Sequence, residues 1–320
     1  MLRQKTIYLA NPRGFCAGVD RAIETVETAL KIFNPPLYVK HEIVHNKNVV
    51  ENLKSKGVIF VEDLEEIPCN NNVIFSAHGV SPKVWEIAEK RKLNVIDATC
   101  PLVTKVHLEA KRLAKSGFRI IFIGHKNHVE TIGTFGEAPD KIIIIENEKD
   151  IDELPPIKES KIAYLTQTTL SVRETANLIN KLKDKYTQII GPKTSDICYA
   201  TTNRQEAVSK IANKVDLLLV IGSKNSSNSN RLRELAESCG TKSKLIDNYF
   251  DIKNDWFSNE ILSIGLTAGA SAPENIILEV IQYLKETHGF SRIKEISVKD
   301  ETLTFQLPLK LKNIQKEHSI

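Results

Sequence analysis

Cys16, Cys100 and Cys198 are the residues whose placement asks for chemistry, because each opens a run of helical periodicity at the same place in a repeat. Beyond Cys100 come the helical run Leu102, Val103, Val106, Ala110 and Leu113, the apolar run Ile120-Ile121-Phe122-Ile123, and the polar turn Gly124-His125-Lys126-Asn127-His128. Beyond Cys198 come Ala207, Val208 and Ile211, the apolar run Leu217-Leu218-Leu219-Val220-Ile221, and Gly222-Ser223-Lys224-Asn225-Ser226. Each glycine stands 24 positions past its cysteine, and His128 and Ser226 each stand 28 past. Cys16, in Asn11-Pro12-Arg13-Gly14-Phe15-Cys16-Ala17-Gly18, opens a looser third copy whose His45 stands 29 positions on. One such cysteine would pass as small apolar filler behind a turn. Three at one repeat position do not arise by chance.

Three thiolates brought to one point invite a metal. Structural zinc takes four ligands, often in close Cys-x-x-Cys pairs, and this chain has none. An iron–sulfur cluster fits better, since its ligands come from distant segments and three cysteines on four irons leave one iron open as a Lewis acid. Cys16 is expected at or just before a helix N-terminus, where backbone N–H groups and the macrodipole favour a thiolate. His45, His78 and His128, with Ser226, Ser227, Asn228 and Ser271, follow predicted strands, where hydroxyl, amide and imidazole donors beside helix N-termini make a cradle for a phosphate-like anion. Cys69 and Cys239 lie outside the repeat positions and receive no role.

The elements needed to position these residues alternate. Ile7-Tyr8-Leu9-Ala10 reads as a buried strand, and Val19, Ala22, Ile23, Val26, Leu30 and Phe33 as a helix. Each copy has a second strand and polar turn: 73–79, 162–169 and 262–271. Ser81-Pro82, Ser171 and Ala272-Pro273 then stand where a helix begins. The fold class is therefore α/β with largely parallel sheets. The expected division is 1–96 (Cys16), 97–193 (Cys100), 194–290 (Cys198), and 291–320 as C-terminal strands and tail, with a linker at Asn94-Val95-Ile96 and a boundary near Pro192-Lys193-Thr194. Residues 148–156 read as an acidic connection, 293–298 and 303–307 as a pair of strands, and Lys310, Lys312 and Lys316 as a solvated basic end.

At 320 residues with a net charge of +4, the chain asks for neither nucleic acid nor a membrane surface. Its longest apolar runs fall far short of the ~20 residues that span a bilayer. Its first residues carry no apolar h-region, and five scattered cysteines do not make a disulfide framework. A cytoplasmic protein is expected.

The motifs Asn11–Val19, His41-Glu42-Ile43-Val44-His45-Asn46, Ser76-Ala77-His78-Gly79-Val80-Ser81, Asp97-Ala98-Thr99-Cys100-Pro101-Leu102-Val103, Thr166-Gln167-Thr168-Thr169-Leu170-Ser171 and Ser223-Lys224-Asn225-Ser226-Ser227-Asn228-Ser229-Asn230 resemble the 4-hydroxy-3-methylbut-2-enyl diphosphate reductase family. The resemblance runs in order from about residue 7 to 275. It implies three related α/β domains in a pseudo-threefold trefoil around one 4Fe-4S cluster, with Cys16, Cys100 and Cys198 as metal ligands and one open iron. It implies reductive dehydroxylation of an allylic diphosphate to isopentenyl and dimethylallyl diphosphate, the last step of the non-mevalonate isoprenoid pathway. The substrate hydroxyl would bind the open iron, and a low-potential donor such as ferredoxin or flavodoxin would supply two electrons. His45, His78, His128, Ser226, Ser227, Asn228 and Ser271 would hold the diphosphate, Thr168 would contact the hydroxyl, and Glu130 would supply protons. One departure is visible, His128-Val129-Glu130 where the family usually has His-Pro-Glu. Two rival classes share these features: a hydro-lyase with an open iron, which needs no external electrons, and a non-catalytic redox sensor or anion-binding module, which needs no acid aimed at the iron.

Overall fold

The computed structural model describes residues 4–157, 159, 161–257 and 260–317. In chain order the elements begin β1 (Thr6–Asn11), α1 (Ala17–Phe33), β2 (Leu37–Lys40), α2 (Lys47–Ser55), β3 (Val58–Val61), β4 (Asn72–Phe75), α3 (Pro82–Lys90) and β5 (Asn94–Asp97). They continue with α4 (Pro101–Lys115), β6 (Arg119–Ile123), α5 (Val129–Gly136), β7 (Ile142–Ile145), α6 (Glu148–Asp152), β8 (Ile162–Thr166) and α7 (Val172–Lys185). The last are α8 (Tyr199–Ala212), β9 (Leu217–Ile221), α9 (Ser227–Ser238), β10 (Ser243–Ile246), β11 (Ser263–Ala268), α10 (Glu274–His288), β12 (Arg292–Ser297) and α11 (Leu309–Glu317).

Two compact units emerge. One comprises residues 4–19, 45–52 and 199–303. It holds a five-stranded sheet in the order β10-β9-β11-β1-β12, every pairing parallel. Both faces are covered: Ile7 and Leu9 of β1 join the core of β9, β11 and α10, while Ala10 joins that of α8 and α9. Burial on two sides explains why Leu217 to Ile221 is apolar throughout rather than alternating. Helix α10 ends on Gly289 at φ +73°, the left-handed conformation that glycine takes at little cost.

The other unit comprises residues 20–44, 53–198 and 304–317 and holds two parallel sheets, β3-β2-β4-β5 and β7-β6-β8. Isoleucine-rich β6 and β7 pack between α4 on one face and α7 on the other. The α/β class with parallel sheets is thus observed, in three sheets.

Three local expectations are corrected. Asn94 to Ile96 is not a linker but part of edge strand β5, in register with β4. The 148–156 connection contains the helical turn α6, capped where Asn147 Oδ1 accepts from Asp150 N–H. Residues 303–307 alternate yet form no strand, so period-two patterning without a neighbouring edge to pair with produces none. The basic end forms α11, in which Leu311 is fully buried while Lys310 and Lys316 stay exposed as expected; Lys310 donates to the Val95 carbonyl (2.8 Å) and Lys312 to Gln306 Oε1 (2.5 Å). No helix among the described residues is long and apolar enough to cross a membrane.

Candidate active site

The three cysteines sit in matching backbone settings. Cys16 immediately precedes α1, Cys100 is the N-cap of α4, and Cys198 immediately precedes α8. Each amide donates to a carbonyl in a polar turn: Cys16 N–H to Ala270 (3.3 Å), Cys100 N–H to Ala77 (3.0 Å) and Cys198 N–H to Thr168 (3.0 Å). Chain position groups Cys16 with the 76–79 turn, but the hydrogen bonds pair each turn with a cysteine of another segment. The physical reason is strand pairing. Strand β11, which ends in the Ala270 turn, lies beside β1, which leads to Cys16, and β4 lies beside β5, which leads to Cys100.

All three thiols are half-buried and none is in a disulfide. Thiols at helix starts are donors of the kind that an iron–sulfur cluster takes. Burial pushes the Cys16 thiol up, against the lowering effect of Arg204 and of the N–H groups of Val19 and Gly18. Cys69 is exposed and Cys239 caps the end of α9.

Glu130, in the first turn of α5, is 2% exposed. Thr168 N–H donates to its Oε1 (2.6 Å) and the Thr168 hydroxyl to its Oε2 (3.0 Å). Burial raises the carboxyl from its ordinary 4.5 to about 7, against the lowering effect of the two Thr168 donors and of His107. A buried carboxyl that holds a proton near neutrality can act as a general acid. His128 caps the same helix, its Nδ1 accepting from Glu130 N–H (3.2 Å). That bond leaves the ring's hydrogen on Nε2, and burial, with His125 and His41, lowers the imidazole to about 4. His128 is therefore a neutral donor. His78 shares a contact between Nδ1 and Ser76 Oγ (3.2 Å), and its ring lies edge-on to His128 with centroids 6.0 Å apart.

In the other unit, Ser226 caps α9, its Oγ accepting from Ser229 N–H (3.3 Å) and from the Ser229 hydroxyl (3.0 Å). Asn228 donates to Thr201 Oγ1 (3.3 Å) and accepts from Ala270 N–H (3.0 Å). Ser271 donates its hydroxyl hydrogen to the His45 carbonyl (2.9 Å), so it must rotate before it can donate to an anion. Ser227 is half-buried in the first turn of α9. The repeat equates His45 with His128 and Ser226, yet the cap of α2 is Asn46, whose Oδ1 accepts from Val49 N–H (3.1 Å). His45 is buried one residue earlier.

Several further residues, given no role from the sequence, hold this geometry. Gln167 Oε1 accepts from His125 N–H (3.1 Å) and the Thr131 hydroxyl (3.4 Å), tying the 125–128 turn to the Thr168 turn. Arg204, fully buried, donates to the Gly14 carbonyl (2.7 and 3.2 Å), to the carbonyls of Phe15 and Ala200, and to Glu301 (3.1 Å). Gly14 takes φ +67°, and a Cβ there would lie 3.1 Å from the Ala272 carbonyl oxygen. The Tyr199 phenol accepts from Ala17 N–H (3.2 Å), beside Cys16. The signal for Tyr199 is its place directly after a repeat cysteine, and that for Gln167 and Gly14 their place in motifs that carry the family resemblance; Arg204 carries none.

A family described as LytB protein matches residues 7–285. The chain is similar to the 4-hydroxy-3-methylbut-2-enyl diphosphate reductase of Haemophilus influenzae (strain PittGG), 53% identical over 309 residues that cover 96% of this chain and 98% of that one. It is similar in structure to the E-1-hydroxy-2-methyl-but-2-enyl-4-diphosphate reductase from Plasmodium falciparum, with TM-score 0.96 and 43% identity over 99% of this chain and 100% of that one. A second solved reductase, described as the terminal enzyme of the non-mevalonate pathway, aligns with TM-score 0.63 and 34% identity over 88% of this chain and 100% of that one. By the extent of that match and the identity to its relatives, the chain belongs to the LytB protein family.

Proposed function

We propose that this chain is a cytoplasmic 4-hydroxy-3-methylbut-2-enyl diphosphate reductase, acting at the terminal step of the non-mevalonate pathway. The reaction replaces an allylic C–O bond with C–H: the alcohol, two electrons and two protons give water and isopentenyl or dimethylallyl diphosphate. A four-iron four-sulfur cluster held by Cys16, Cys100 and Cys198, with one iron lacking a protein ligand, would supply Lewis acidity and electrons drawn from a low-potential donor such as ferredoxin or flavodoxin.

The observation that carries the reading is Glu130, a buried carboxyl that keeps its proton to about pH 7. Hydroxide leaves poorly, so a general acid that hands over a proton as the C–O bond breaks lets water depart instead. Thr168 orients that carboxyl through both its N–H and its hydroxyl, and its hydroxyl is the group proposed to meet the substrate alcohol. His128, neutral with hydrogen on Nε2, donates to the diphosphate without adding a cation. His45, His78, Ser226, Ser227, Asn228 and Ser271 are proposed to complete the anion contacts, with α9 lending its N-terminal N–H groups. The three-domain division with a pseudo-threefold arrangement belongs to the same proposal.

The test is anaerobic purification followed by assay with the hydroxylated diphosphate. Product should form only when a reduced low-potential donor is present, from protein carrying about four irons per chain. Cys16→Ser, Cys100→Ser and Cys198→Ser should each lose iron and activity, while Cys69→Ser and Cys239→Ser keep both. Turnover without a donor would favour the hydro-lyase class, and no turnover with iron bound would favour the sensor.

A further inference from the structure

The segment leading to Cys198 has little to shape it, since residues 191–198 lie in no helix or strand. Lys105 reaches it from the second turn of α4, the helix that Cys100 caps. Its ammonium lies within hydrogen-bond distance of four acceptors on three consecutive residues: the Thr194 carbonyl (3.0 Å) and Oγ1 (2.9 Å), the Ser195 carbonyl (3.2 Å) and Asp196 Oδ1 (3.2 Å). Asp196 is buried, and its Oδ2 accepts from Thr166 N–H (3.1 Å) at the end of β8. The same turn continues to Thr168, whose carbonyl receives Cys198 N–H. One lysine thus links the helix that begins at Cys100 to both supports of Cys198, the 194–196 loop and, through Asp196, the β8 turn.

We propose that Lys105 is a positioning residue that sets Cys198 relative to Cys100, so that retention of the metal group depends on it far more than the fold does. This rests on the reading that both thiols hold one iron–sulfur cluster. An ammonium suits the task because its three hydrogens can be shared among acceptors spread around it, which no uncharged side chain of that length can do. With the lysine gone, the loop keeps the Asp196 contact to Thr166 and the Cys198 contact to Thr168 but loses every tie to α4 that Lys105 supplies.

The experiment uses the anaerobically purified, iron-loaded protein and follows iron release to a ferrous chelator, alongside the thermal midpoint of the same samples. Lys105→Met is expected to release iron about tenfold or more faster than the parent, the usual scale for losing a residue that orients metal ligands. Its midpoint should move by less than about 4 °C. Lys105→Arg, whose guanidinium offers five donors, is expected to restore slow release. Release at the parent rate, or acceleration only in step with a large fall in the midpoint, would overturn the proposal. If Lys105→Met yields no soluble protein, Asp196→Asn carries the test: faster release supports it and unchanged release overturns it. A parent protein that binds no iron under these conditions would overturn the cluster reading and this proposal with it, whereas an iron-loaded parent beside an unaffected Lys105→Met overturns the proposal alone.

Discussion

Replacing Glu130 by Gln separates charge from shape. The amide oxygen can still accept from Thr168 N–H, and the amide nitrogen can donate to Thr168 Oγ1 once that hydroxyl turns its own hydrogen away. Two measurable effects follow. The first is on stability. The folded carboxyl holds its proton to about pH 7, against 4.5 for an unperturbed glutamate. Below pH 4.5 both the folded and unfolded chains are protonated there and nothing is lost. Between 4.5 and 7 the unfolded chain ionises first, so stability falls as pH rises. Above 7 the full penalty applies, about 3 kcal/mol for a shift of this size. His128 acts in the opposite direction. Its folded value of about 4, against 6.5, means that stability is lost as pH falls through that window. In the parent the two slopes oppose each other between pH 4.5 and 6.5, whereas Glu130→Gln exposes the His128 slope alone. Denaturant titrations of both proteins from pH 4 to 8 should therefore show the variant gaining about 3 kcal/mol on the parent across that range. The second effect is on turnover, which should fall at least ~10²-fold with substrate still bound, as expected for loss of a positioned general acid. The pH–rate limb near 7 should vanish with it. Near-normal turnover, or a stability difference that does not change with pH, would refute the reasoning.

Two further perturbations follow from the geometry. Val129 is the first residue of α5, and His128 before it has φ −79° and ψ 136°, the extended conformation that a following proline requires. Val129→Pro should therefore raise stability by about 0.4–1 kcal/mol with activity unchanged, and a lower thermal midpoint would show that the Val129 N–H is needed. Arg204→Met takes the cationic partner from Glu301, which keeps the Asn203 amide as a donor (2.9 Å), and leaves the Gly14, Phe15 and Ala200 carbonyls without their buried donor. It should cost about 3–5 kcal/mol by denaturant midpoint, and a loss below ~1 kcal/mol would show the pair to be dispensable.

What was legible in the sequence was whatever recurs locally. The Cys100 and Cys198 copies declare themselves through spacing, and helix starts at Pro82, Ser171 and Pro273 through cap chemistry. The pairing of each polar turn with a cysteine from another segment was not legible, because parallel strands choose neighbours over long separations and leave no mark in either strand. Lys105 and Arg204 look like ordinary helix-surface cations until the carbonyls they meet are in place. Glu130 is a plain loop carboxylate in isolation, and only the family resemblance singled it out before burial and the Thr168 contacts gave it a physical role.

Strand β1 sits between β11 and β12, with Thr6 opposite both Ser263 and Arg292. During synthesis on the ribosome the segment that leads into Cys16 is thus made before either neighbour and seated late, after roughly 250 further residues have been translated. At chain growth of about 5–20 residues per second this is roughly 13–50 s during which an apolar strand has neither neighbour. Both its edges are open to adventitious pairing in that interval. The nascent chain's dependence on chaperones should therefore concentrate at this strand, and a premature stop before Arg292 should leave β1 with one edge permanently bare and the product prone to aggregate.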